Sequence, residues 1–146
     1  MKKRYIVIPL ALIVMAVAIF SLVAITMEDA YRIDFEYTTS EAQSVETTTS
    51  FDAEPPSGYK FVIADIVVIN EGSESVSPIA SWFKLHHEGH SYGADSVTYL
   101  YDGEHRYIPQ TIDSGASMMC AIIFAVPENM ADYTIEVEPP SYISVV

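Results

Sequence analysis

Cysteine is nearly absent from this chain: Cys120 is the only one among 146 residues. A single thiol cannot form an intramolecular disulfide, so the stability of the fold must come from its core. Cys120 lies in the apolar segment Ser117–Phe124, where we expect it to be a small buried hydrophobe. No cysteine lies near the N-terminal apolar run, which excludes attachment of a lipid to a thiol there.

Basic residues are also scarce. The chain has seven Lys and Arg against 20 Asp and Glu, a formal charge of −13. Residues 28–146 contain all 20 acidic residues and only four basic ones, so this part carries a formal charge of −16. Such a surface repels phosphates and anionic lipid headgroups, because their binding requires clustered Lys and Arg. The charge pattern therefore excludes nucleic acid as a partner.

Catalytic motifs are missing as well. The sequence has no His-Glu-x-x-His and no glycine-rich phosphate loop, and its Gly-x-Ser-x-Gly match, Gly89 to Gly93, lies in a predicted hairpin instead of the strand-to-helix turn of a catalytic serine. The segment Asp102-Gly103-Glu104 lacks the repeated aspartates of a calcium-binding loop. The sequence therefore predicts a protein that is not an enzyme.

A long uncharged run is present, from Tyr5 to Met27. As an α-helix its 23 residues would extend about 34 Å, enough to cross a hydrocarbon core of about 30 Å. The run is longer than the apolar part of a signal peptide and ends without a good cleavage site, which favours a retained anchor; a cleaved signal peptide and a secreted domain are the alternative. Residues 2–4 are basic and residues 28–29 acidic, which predicts a cytoplasmic N-terminus and an extracellular domain.

Residues 1–27 are thus predicted to be a single-pass anchor, and residues 28–146 to form one extracytoplasmic domain. Tyr31–Tyr37 and Tyr133–Glu138 alternate between apolar and polar residues, while Tyr59–Ile69 is β-branched and aromatic. With a further short strand expected at Val97–Tyr101, these patterns predict an all-β fold, an antiparallel sandwich. The polar residues 38–57 are either a linker or contain one more short strand.

Several spacings of glycine, aromatic and aliphatic residues accompany the predicted strands and turns. They are Gly58-Tyr59-x-Phe61-Val62-x-x-Asp65-x-x-Val68-x-Asn70, Phe83-x-Leu85, Gly89-x-x-Tyr92, Ile112-x-x-Gly115 and Phe124-x-Val126-Pro127. Together, over residues 31–137, they resemble the telokin-like domain family of unknown function. The resemblance implies an immunoglobulin-like β-sandwich in a secreted or surface-anchored microbial protein, and it implies no enzyme. Many relatives carry a lipid anchor, which the apolar helix would replace here.

The segment from His86 to His90 favours one chemical hypothesis. A two-residue turn at Glu88-Gly89 would place His87 and His90 opposite each other, with Cβ atoms about 5 Å apart. Two such imidazoles could bind a divalent metal such as Zn²⁺ or Cu²⁺. The sequence offers no third ligand at a fixed spacing, and a polar hairpin tip is the alternative. His86 is expected on the other face.

Aromatic residues form the second candidate site. The chain has ten tyrosines and one tryptophan, and such side chains are favoured at interfaces and carbohydrate platforms, although they also pack in small cores. Alternation with Phe83 and Leu85 would place Trp82 on the outer side of its strand, as an exposed anchor. The predicted binding residues are Trp82, Tyr92, Tyr99 and Tyr101.

These observations predict a membrane-anchored, non-catalytic binding or structural module of the cell envelope. Its partners would be the membrane, through residues 5–27, and an envelope protein or surface ligand. Two alternatives remain: an envelope metal-binding protein that uses His87 and His90, and an accessory subunit of a surface filament or secretion complex.

Overall fold

The computed structural model describes residues 30–146. The predicted anchor, Tyr5–Met27, lies outside this range. Within the range, no helix is both long enough and apolar enough to span a membrane. The described part contains seven strands: β1 Arg32–Ala42, β2 Tyr59–Asn70, β3 Phe83–His87, β4 His90–Gly93, β5 Ser117–Pro127, β6 Thr134–Val137 and β7 Ser144–Val145.

The strands form two sheets, with the orders β5-β2-β1-β7 and β4-β3-β6. The predicted all-β sandwich is therefore confirmed. The prediction of a wholly antiparallel fold is wrong at one edge, because β7 pairs with β1 in parallel, with Arg32 opposite Ser144. Pro139 and Pro140 follow β6 and a turn leads to Ile143, so the chain crosses to the other sheet and runs beside β1 in the same direction.

Strand β2 lies at the centre of the four-stranded sheet, between β1 and β5. Side chains on one of its faces, such as Val62 and Ile66, pack in the main core. Phe61, on the opposite face, packs in a second cluster with Val45 and Val97. Because side chains on both faces of β2 are buried, its sequence is a nearly continuous apolar run.

Two short 3₁₀ helices interrupt the strand pattern, at Ala80–Trp82 and Ser96–Tyr99. The strand predicted at Val97–Tyr101 is therefore wrong. The Asp95 carboxylate accepts a hydrogen bond from the Val97 N–H at 2.9 Å, which begins a helical turn there instead.

Rather than forming a linker, part of segment 38–57 packs against the sandwich. Strand β1 continues through Ala42. Val45 and Ala53 then exchange two backbone hydrogen bonds, of 3.0 and 2.9 Å, and Val45 is buried in the second cluster. This segment covers the outer face of the four-stranded sheet.

The three-stranded sheet has a different character. Phe83 and Leu85 of β3 and Ile135 and Val137 of β6 are buried in the main core. The residues that alternate with them point away from the core, among them His86 on β3. This alternation is typical of a sheet with one covered face and one solvated face.

Cys120 is buried in the main core, at 1% exposure, as expected. Burial raises the pKa of its thiol to about 12, and the charge of Asp65 contributes in the same direction. The thiol is therefore protonated at neutral pH and acts as a small apolar group.

Candidate functional site

The histidine hairpin has the predicted register, with His87 opposite His90. Glu88 and Gly89 form its two-residue turn, and both have a positive φ, of 46° and 79°. Such a turn matches the right-handed twist of the two strands. His87 Nδ1 lies 3.2 Å from the Asp132 carbonyl oxygen, and His90 is exposed.

Three potential metal ligands converge on the other side of the same sheet. Within residues 30–146, one group of three histidine, cysteine or carboxylate side chains has ligand atoms within 4.8 Å of one another. This group consists of His86, Glu136 and Glu138. Neither His87 nor His90 belongs to it. His87 and His90 therefore have the predicted register, but within residues 30–146 they belong to no group of three such ligands, and metal binding by this pair stays a prediction.

The geometry of this second group, which we call the outer-face cluster, centres on one nitrogen. His86 Nε2 lies 3.3 Å from Glu136 Oε2 and 3.2 Å from Glu138 Oε1. His86 is on β3, Glu136 is on β6 and Glu138 follows β6, and the two strands pair directly. Sequence reasoning missed the cluster because 50 residues separate His86 from Glu136. The alternation around β6, which puts both glutamates on one face, was the available signal.

Trp82 does not occupy the exposed position that strand alternation predicted. It is 8% exposed and belongs to the main core. The reason is local: β3 begins only at Phe83, and Trp82 ends a 3₁₀ helix. The two-residue alternation therefore does not extend to it.

The three predicted tyrosines do not form one patch. Tyr92 is partly buried against the main core, whereas Tyr101 packs against the second cluster, on the opposite side of the four-stranded sheet. Burial, followed by the charge of Asp65, raises the pKa of Tyr101. Tyr99 is exposed and packs edge-on against Tyr107, with ring centroids 5.6 Å apart.

Trp82 instead helps to line a groove with a volume of about 710 Å³, within the size range of small-ligand sites. Tyr31 and Tyr142 also line it, with ring centroids 5.3 Å apart and planes at 80°. The remaining lining residues are Ala30, Val76 and serines 75, 77, 141 and 144. We call this feature the aromatic groove. No sequence signal could have found it, because β7 brings Tyr142 to Tyr31 across more than 100 residues.

A model of a domain family of unknown function, DUF4352, matches residues 25–145 of the chain. The chain belongs to the DUF4352 family. The match confirms the expected family of unknown function, but it does not extend to the telokin-like family specifically. No curated protein matches the chain in sequence.

Comparison with solved structures concerns the fold. The yjhA protein from Bacillus subtilis is 17% identical, with 73% of this chain and 74% of that chain covered and a TM-score of 0.52. A Clostridium difficile 630 structure, described as an uncharacterized β-sandwich protein, is 11% identical over 69% of this chain and 75% of that one, with a TM-score of 0.39. At this identity, the likeness to yjhA supports the fold alone.

The DUF4352 domain thus presents two surfaces of different chemistry. The aromatic groove offers ring faces and hydroxyl groups, which suit the binding of a ligand. The outer-face cluster offers an imidazole and two carboxylates, which suit a cation.

Proposed function

We propose that this protein is a non-catalytic binding module of the cell envelope, with an immunoglobulin-like sandwich held outside the cell by an anchor at residues 5–27. We also propose that the domain is similar to the telokin-like family in particular. The observation that carries it is the aromatic groove between Tyr31, Trp82 and Tyr142.

The groove combines a fixed floor with an accessible rim. Trp82 is 8% exposed and held by the core, whereas Tyr142 is 63% exposed. Rigid aromatic faces supply large contact areas, and they lose little conformational freedom when a partner binds. The four serines add hydrogen-bonding groups around these faces.

The position of the groove indicates the kind of partner. Ala30 lines the groove, and the predicted anchor ends at Met27, so the intervening chain can span at most about 11 Å. If the anchor is retained, the groove lies next to the membrane surface. The charge of −16 on residues 28–146 disfavours anionic lipid, so we infer that the partner is a neighbouring envelope protein.

Photo-crosslinking in cells of the native organism tests this function. The crosslinking amino acid benzoylphenylalanine would replace Tyr142 in the full-length protein, and in a matched control it would replace Tyr99. Both tyrosines are exposed, 63% and 58%, and each packs edge-on against another tyrosine at a similar distance. The protein would be recovered with antibodies, because Ser144 lines the groove and a C-terminal tag would lie beside it.

We expect one envelope protein to be the main crosslinked partner from position 142 and not from position 99. Mass spectrometry of the recovered protein should find Tyr5–Met27 still attached. Equal crosslinking from the two positions, or none from position 142, would contradict binding in the groove. A recovered chain that lacks Tyr5–Met27 would contradict the anchor and indicate a released domain.

A further inference from the structure

We propose that His86, Glu136 and Glu138 bind one divalent transition-metal ion, with Zn²⁺ as the reference ion, on the outer face of the β4-β3-β6 sheet. This site is separate from the aromatic groove, since the two share no residue. It also differs from the pair His87 and His90, which lies on the opposite face of the same hairpin.

The distances in the cluster suit a tetrahedral ion. With zinc about 2.0 to 2.2 Å from each ligand, neighbouring ligand atoms of a tetrahedron lie about 3.3 to 3.6 Å apart. His86 Nε2 lies 3.3 Å from Glu136 Oε2 and 3.2 Å from Glu138 Oε1. All three ligand atoms lie within 4.8 Å of one another. Rotation of the two exposed glutamate side chains therefore brings their two oxygens to the spacing of a tetrahedral site. Water would occupy the fourth position.

The ligand types select the class of metal. An imidazole nitrogen favours zinc and its first-row neighbours, whereas calcium and magnesium prefer sites made only of oxygen ligands. Two carboxylates balance the charge of a divalent cation, and the acidic surface of the protein raises the local concentration of cations.

A lysine on the same sheet face has its ammonium group on the β4 side of β3, away from β6. Lys84 is the β3 residue directly opposite Glu136. Its ammonium group lies over Gly93 of the neighbouring strand β4, where an added Cβ would be 3.6 Å from Nζ. Because Gly93 has no side chain, the lysine has room on that side and the carboxylates stay available.

His105 also has two carboxylates nearby, but in a different arrangement. His105 Nδ1 lies 3.7 Å from Asp65, and its Nε2 lies 3.6 Å from Glu104. These two carboxylates approach different ring nitrogens, so they cannot converge with the imidazole on a single ion. Of the four histidines in the chain, His86 is the one that meets two carboxylates at one nitrogen.

Calorimetric titration with ZnCl₂ tests the site. It would use the full-length protein in a neutral detergent, without a histidine tag and after treatment with a chelator. We expect one Zn²⁺ per chain, with affinity reduced roughly tenfold or more by His86→Ala and by Glu136→Gln. The double variant His87→Ala, His90→Ala should bind within about twofold of wild type, since it leaves the outer-face cluster intact. CaCl₂ should bind much more weakly than ZnCl₂.

A second readout reports on coordination itself. Co²⁺ added to wild type and to the His87→Ala, His90→Ala variant should give the visible absorption of a four-coordinate ion, and the absorption should be absent from Glu138→Gln. Circular dichroism of each variant checks its fold, and Glu138→Gln replaces His86→Ala if the latter unfolds. Equal Zn²⁺ affinity in wild type and the cluster variants would overturn the site. So would loss of binding only in the His87→Ala, His90→Ala variant.

Discussion

The two sheets of this sandwich differ in how many of their faces are covered. The four-stranded sheet packs on the main core through one face and is covered on the other by a second cluster that includes Val45. The three-stranded sheet has one buried face, and its other face carries His86 and Glu136. A face without cover can hold charged groups in fixed register while they remain hydrated. Both faces of the first sheet should therefore contribute to stability, whereas the outer face of the second sheet can vary its chemistry at little cost.

The largest effect should come from a cavity in the inner face of the four-stranded sheet. Phe124 is fully buried there, so Phe124→Ala should reduce the free energy of unfolding by about 3–5 kcal/mol. Met119 lies on the same strand but is 48% exposed, and Met119→Ala should change the value by about 0.5 kcal/mol or less. Urea unfolding of residues 28–146 measures both. Similar losses in the two variants would mean that the inner face is not the main source of stability.

A smaller effect is expected on the outer side of that sheet. Val45→Ala removes two methyl groups from the second cluster and should cost about 1–2 kcal/mol of unfolding free energy. The same urea experiment applies, with the neighbouring exposed residue Glu46 changed to Ala as the control. If Val45→Ala has the same unfolding free energy as wild type, the segment that covers this face does not stabilise the fold. The contrast between the two sheets would then disappear.

Alkaline pH provides a third test of the covered sheet. The pKa of the Cys120 thiol is raised from 9.0 to about 12 in the folded protein. Above pH 9 the unfolded chain releases this proton and the folded one retains it, so stability is lost as the pH rises towards 12, by about 1–2 kcal/mol at pH 10. The difference between wild type and Cys120→Ala isolates this contribution, because the tyrosines titrate in both. A constant difference from pH 8 to pH 11 would contradict burial of the thiol.

The smallest change in stability should come from the outer-face cluster. Glu136 is largely exposed and its contacts with His86 are solvated, so Glu136→Gln should alter the unfolding free energy by about 0.5 kcal/mol or less without added metal. Thermal and urea unfolding after chelator treatment measure this. A loss of 2 kcal/mol or more would show that this face supports the fold as strongly as a core does.

Local patterns account for what the sequence predicted correctly. The apolar run from Tyr59 corresponds to β2 with nearly the same bounds, and the turn at Glu88-Gly89 fixes the pairing of His87 with His90. Both depend on neighbours in the chain. Trp82 was misplaced because a 3₁₀ helix replaces the strand alternation one residue before β3 begins.

The features that the sequence did not predict depend on pairing between distant segments. The outer-face cluster requires β3 to pair with β6, and the aromatic groove requires β7 to lie beside β1. Composition and periodicity give the face on which a residue lies, but not which strand becomes its neighbour. For this reason Glu136 and Tyr142 could be placed on strands or turns and still not be assigned to a site.

The parallel pairing of β7 with β1 has a mechanical consequence. The Ser144 N–H donates to the Tyr31 carbonyl and the Val146 N–H donates to the Ile33 carbonyl, at 3.0 and 2.9 Å. A force that pulls Ala30 and Val146 in opposite directions slides the two strands along each other, so it loads both hydrogen bonds simultaneously instead of opening them in succession. Tension between Ala30 and the last strand would therefore meet resistance at the start of β1, beside the aromatic groove.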